Sequence, residues 1–73
     1  MVTIVPTGML KEYVKGREVI TVAAGASIKE MLTALGIPSE MVAMAVVDGR
    51  QCFKEFVPEE GATVMLLPLV GGG

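Results

Sequence analysis

Histidine and tryptophan are absent from this 73-residue chain, and cysteine occurs once, as Cys52. With no imidazole and a single thiol, the chain lacks the side chains for a tetrahedral zinc site or for a Ser-His or Cys-His catalytic pair. A lone cysteine forms no internal disulfide, which fits a reducing cytoplasm. Positive charge is sparse. Six basic residues (Lys11, Lys15, Arg17, Lys29, Arg50 and Lys54) lie scattered against eight acidic ones, for a net charge of −2 and a pI near 4.9. Phosphate binding needs a clustered basic face, so nucleic acid is not expected as a partner. No apolar run approaches the roughly 18 residues of a membrane span. Met1–Pro6 carries neither a basic leader nor a long apolar stretch, so no secretory signal is read. The expectation is a cytoplasmic protein that does not engage membranes.

What is present is apolar. Hydrophobic residues make up 52% of the chain, enough for a packed core in one domain near the lower size limit. Val2–Val5 reads as a first strand, ended by Pro6, Thr7 and Gly8. Gly8–Lys15 fits a helical turn or a loop, with Met9, Leu10, Tyr13 and Val14 to place. Glu18–Val22 is rich in β-branched residues and reads as a second strand. Ser27-Ile28-Lys29-Glu30 is a capping box. Ile28, Met31, Leu32 and Leu35 then fall at i, i+3, i+4 and i+7, one apolar stripe on a helix that Gly36 and Pro38 stop. Met41–Val47 reads as a buried strand, Asp48-Gly49 as a type I′ turn, and Arg50–Phe53 as a short return strand. Pro58–Gly61 is a further turn. Thr63–Val70 is apolar on both faces, which suits the middle of a sheet. The fold class is therefore α+β: a mixed four- to five-stranded sheet packed on one main helix, at about residues 28–35.

Alternation along the last strand puts Val64, Leu66 and Pro68 on one face and Met65, Leu67 and Leu69 on the other. One set should face the helix. The set Met65, Leu67 and Leu69, with Phe53, Phe56, Val70 and Gly71, is expected to supply an apolar patch that docks partners. Beyond the strand come Gly71, Gly72 and Gly73, three residues without side chains. They add nothing to a core but suit a narrow slot in a partner. The expected organisation is a domain over 1–70 and a flexible glycine tail over 71–73.

The segment Gly25–Leu32, then Leu35-Gly36-Ile37-Pro38, then Val47-Asp48-Gly49-Arg50, resembles the small sulfur-carrier proteins of the MoaD/ThiS family. These are the small subunit of molybdopterin synthase and the thiamine-thiazole sulfur carrier. The resemblance covers most of the chain from Glu18 onward, and it implies the ubiquitin-like β-grasp fold. Two departures stand out. Ala62 replaces the acidic residue usual after the turn glycine, a change expected to loosen that turn, and the end has three glycines rather than two.

The resemblance implies a carrier rather than an enzyme. A MoeB/ThiF-like activating enzyme, using ATP and Mg²⁺, would adenylate the Gly73 carboxylate, or that of Gly72 after trimming. Sulfur would then displace AMP to leave a thiocarboxylate, and the large subunit of a synthase would accept that sulfur. No cofactor is expected to be bound, and the free chain is expected to be a monomer. The chain length, the Gly8–Lys15 segment and the Leu67-Pro68-Leu69-Val70 approach point to molybdopterin or tungstopterin biosynthesis. The three glycines point to the thiamine side. A ubiquitin-like modifier joined to lysines would use the same activated glycine. Cys52, beside Phe53, reads as a small buried hydrophobe, and Glu55, Glu59 and Glu60 read as a solvated turn.

Overall fold

In a computed structural model, residues 1–69 are described and form five strands, one α-helix and two 3₁₀ segments. The strands are β1 (Val2–Pro6), β2 (Ile20–Val22), β3 (Val42–Val47), β4 (Arg50–Cys52) and β5 (Thr63–Pro68). The helix α1 spans Ile28–Leu35. Across the sheet the order is β2-β1-β5-β3-β4, so the last strand in sequence is the central one. β5 runs parallel to β1, with Ile4 beside Val64 and Pro6 beside Leu66. It runs antiparallel to β3, with Ala45 beside Leu66 and Val47 beside Val64. This is the α+β arrangement read from the residues, with five strands.

Local chemistry explains the helix. The Glu30 N–H donates to Ser27 Oγ at 3.2 Å while the Glu30 carboxylate accepts from the Ser27 N–H at 2.8 Å, completing the capping box. Ile28, Met31 and Leu32 are buried against the sheet. Gly36, in the left-handed conformation, closes the C-terminus with its N–H directed to Leu32 and Thr33 carbonyls. The remaining N-terminal amides find partners outside the helix: Ile28 N–H donates to the Phe56 carbonyl and Lys29 N–H to the Lys54 carbonyl. The helix start is thereby tied to the loop after β4, satisfying donors that would otherwise be orphaned.

A single core joins Val2 and Ile4 of β1, Leu10 and Val14, the helix stripe, Val42, Ala45 and Val47 of β3, and Val64 and Leu66 of β5. Leu66 and Val64 have no exposed surface. No polar or charged residue is buried among the described residues, so the core carries no polar group to desolvate.

Several boundaries differ from the sequence expectation, and the open reading of Gly8–Lys15 resolves as helical. The second strand is Ile20–Val22 rather than Glu18–Val22, because Arg17 turns back on the preceding segment: its N–H and Nε both donate to the Val14 carbonyl. Gly8–Val14 is a 3₁₀ helix that buries Leu10 and Val14 and leaves Met9 and Tyr13 exposed. The third strand starts at Val42, since Ser39–Met41 forms a second 3₁₀ turn, and the register shifts between Val42 and Met44. The turn before β5 is held rather than loosened by Ala62. That residue is buried, its N–H donates to the Glu59 carbonyl, and its own carbonyl accepts from Thr3. Asp48-Gly49 turns as expected, with φ of 48° and 85°. Gly49 supplies a positive φ that a type I′ turn requires. The Asp48 carboxylate also accepts from the Thr63 N–H at 3.0 Å.

The Glu30 carboxyl is held below its ordinary value, chiefly because the Ser27 N–H donates to it, with the Ser27 hydroxyl adding to the effect. A lowered folded-state pKa contributes stability above the unfolded value and loses it as pH falls through the folded one. Ser27→Ala should cost about 1 kcal/mol in urea unfolding at neutral pH. Glu30→Gln should keep the box yet flatten the acid limb of stability against pH; an acid limb as steep as in the wild type would remove Glu30 as its source.

Candidate functional site

β5 divides its side chains between two faces. Val64 and Leu66 point into the core, while Met65 is 42% exposed and Leu67 is half-buried on the outward face. Register places Met65 between Val5 of β1 and Val46 of β3, and Leu67 beside Met44. Val5, Met44 and Val46 are each half-buried. The outward face thus carries a continuous apolar strip across three strands: Val5, Met65, Leu67, Met44 and Val46. Leu69 follows the strand and is 52% exposed. Of these, sequence reasoning had Met65, Leu67 and Leu69 and missed Val5, Met44 and Val46. Alternation along β1 could have found Val5. The unbroken apolar run of β3 and its register shift concealed the other two.

Phe53 and Phe56 lie elsewhere. The Phe56 N–H donates to the Phe53 carbonyl, closing a turn whose carbonyls receive the first amides of α1. The Lys54 ammonium also reaches the Ser39 carbonyl. This turn therefore stands on the helix side of the sheet, away from Met65 and Leu67. Phe53, 84% exposed, is the most exposed large apolar residue described. The apolar residues singled out from the sequence form two groups, on the two sides of the sheet.

Between β4 and the turn before β5 lies a cavity of about 420 Å³ lined in part by Asp48, Arg50, Cys52, Phe56 and Glu59. Cys52 is half-buried, packs against the core, and directs Sγ at the Arg50 carbonyl at 3.6 Å. Among the described residues, no group of three or more His, Cys, Asp or Glu is placed to hold a metal ion. Glu55, Glu59 and Glu60 are exposed, and Glu60 pairs with the Met1 amine.

The route to the glycines starts at the end of β5. Pro68 ends the strand, and the Leu69 N–H donates to the Met41 carbonyl at 2.8 Å. Val70, Gly71, Gly72 and Gly73, which carried the reactive end in the sequence reading, lie outside the described residues.

A five-stranded sheet with parallel β1 and β5 at its centre, one capped helix and an apolar outward strip define a ubiquitin-like β-grasp protein. The model of the Mut7-C ubiquitin family matches residues 9–71. The chain belongs to that family. Among solved structures it is similar to SAMP1 from Haloferax volcanii, with a TM-score of 0.67 at 20% identity, over 99% of this chain and 98% of that one. At that identity the likeness concerns the fold. No curated protein sequence matches the chain. The ubiquitin-like, MoaD/ThiS-type resemblance read from the sequence agrees with both findings. No helix among the described residues is long and apolar enough to cross a membrane.

The two faces of β5 make a direct test. Leu66→Ala should lose about 2–5 kcal/mol in urea unfolding, as a large-to-small change in a closed core does. Met65→Ser, on the outward face, should stay within about 0.5 kcal/mol of the wild type. Equal losses would mean that the strand has been placed with the wrong face inward.

Proposed function

We propose that the chain is a sulfur carrier and the substrate of an ATP-dependent activating enzyme, with the Gly73 carboxylate as the group that reacts. The observation that carries this reading is the continuity of the central strand with the glycines: β5 is fixed by strands on both sides and leads, five residues after its end at Pro68, to Gly73. Membership of a ubiquitin family supports a carrier over an enzyme.

The chemistry follows from the poor reactivity of a carboxylate, which has no good leaving group. In the activating enzyme the Gly73 carboxylate oxygen attacks the α-phosphorus of ATP, and pyrophosphate departs to leave an acyl-adenylate. The enzyme's Mg²⁺ and cationic groups stabilise the phosphate charge that develops. Sulfide then displaces AMP directly. Alternatively a persulfide displaces it, and a thiol cleaves the resulting acyl disulfide, becoming oxidised to a disulfide itself. Either way the chain leaves with a terminal thiocarboxylate, which gives its sulfur to an acceptor bound by a synthase subunit. Glycines at 71–73 let the backbone approach the reacting phosphate without a side-chain clash. The outward strip centred on Met65 is the surface we assign to docking. The pathway we favour is molybdopterin or tungstopterin synthesis, on chain length and the Leu67–Val70 approach, with thiamine-thiazole synthesis as the alternative.

The ubiquitin family match favours one second reading, in which a lysine amine rather than sulfur captures the adenylate and an isopeptide forms. The two share activation and part at the acceptor.

Incubation with ATP, Mg²⁺ and the host's activating enzyme should release pyrophosphate in step with the amount of intact chain. Deleting Gly72 and Gly73 should abolish release and leave the unfolding midpoint unchanged. A truncated chain activated as well as the intact one would sink the proposal. Cys52→Ser should leave both activation and sulfur transfer at the wild-type level; loss of transfer in a folded C52S protein would move the sulfur from the terminus to the thiol.

A further inference from the structure

The end of β5 is held from both sides, more tightly than burial of the core demands. Thr7 donates twice to the Leu66 carbonyl, from its N–H at 3.1 Å and from its hydroxyl at 2.7 Å. Gly8, at φ 55°, lies so close to Pro68 that a Cβ there would stand 3.1 Å from the ring Cγ. From the other side the Met41 carbonyl accepts the Leu69 N–H. Pro68, between these grips, has its φ fixed by its ring and has no N–H of its own to satisfy. The core gains little here, since Pro68 is half-buried and Leu69 exposed.

The grips act on reach. A fully extended chain spans at most about 3.5 Å per residue, so the Gly73 carboxylate can lie about 14 Å from a fixed Leu69, against about 24 Å from a chain free after Leu66. Fixing Leu69 confines the carboxylate to a much smaller volume and removes backbone freedom before an activating enzyme is met. Freedom already lost in the free protein is not lost again on binding.

We infer that Thr7, Gly8 and Pro68 are positioning residues, a clamp that sets where the tail leaves the sheet and so prepares the terminal carboxylate for its activating enzyme. The inference rests on the carrier reading above. Loosening the clamp should weaken binding of ground state and transition state alike, raising the half-saturating concentration without slowing the bound complex. Ordering one backbone residue corresponds to roughly a tenfold factor, which is the size expected.

The test uses the full chain and two readouts. In the free protein the Leu69 amide should be protected from hydrogen exchange. Pro68→Ala should speed that exchange, because alanine frees φ and removes the ring from Gly8. Gly8→Ala, which presses on the ring, should do the same. In pyrophosphate release with the activating enzyme, Pro68→Ala should raise the half-saturating chain concentration about tenfold with kcat within about twofold. Ser27→Ala, which weakens the helix cap far from this site, should move neither readout. Leu69 exchanging at a free-peptide rate in the wild type would overturn the clamp, as would Pro68→Ala matching the wild type in both readouts. Absence of pyrophosphate release with the wild-type chain would strike the carrier reading instead, and Leu69 exchange would still decide whether the clamp exists.

Discussion

The pairing of β5 on both edges is the constraint on which the rest of this molecule depends. Parallel to β1 and antiparallel to β3, the strand takes partners on either side and places Val64 and Leu66 in a core with no exposed surface left on them. A central strand opens only when a neighbouring pair separates, so it belongs to the most stable part of a domain. Its position means that whatever follows Pro68 is attached to the least yielding part of the structure. The helix, by contrast, is short. It stands because its cap is complete and because its first amides are taken by the Lys54 and Phe56 carbonyls.

Much of this was legible in the residues, for reasons that are local. Ser27 and Glu30 complete each other's hydrogen bonds within four residues, and Asp48-Gly49 needs no distant contact to turn. The alternation of Val64 and Leu66 against Met65 and Leu67 stated which residues share a face. What the sequence hid was set by distant partners. The second strand is short because Arg17 is drawn to the Val14 carbonyl, and Ser39–Met41 is a turn although Met41 continues an apolar run. The candidate site was legible to the same degree. Met65, Leu67 and Leu69 could be grouped from their own strand. Val5, Met44 and Val46 join them only through register, and Phe53 and Phe56 leave them because their turn is drawn to the helix start.

The functional reading proposed here rests on the family match and on the continuity of β5 with the terminal glycines. No histidine exists, Cys52 packs against the core, and no metal-holding group is found among the described residues. The domain's outward apolar strip is the surface we propose for docking, its helix side presents Phe53 separately, and the end of β5 is gripped by Thr7, Gly8 and Met41. In the function proposed above, each feature serves a main-chain carboxylate that a partner activates.

The most direct test of that claim is the intact mass of the chain after incubation with ATP, Mg²⁺, a sulfide source and the activating enzyme. The account predicts the gain of one oxygen replaced by one sulfur, with fragmentation placing it on Gly73, or on Gly72 where Gly73 has been removed. An unchanged terminus, or sulfur found on Cys52, would contradict it.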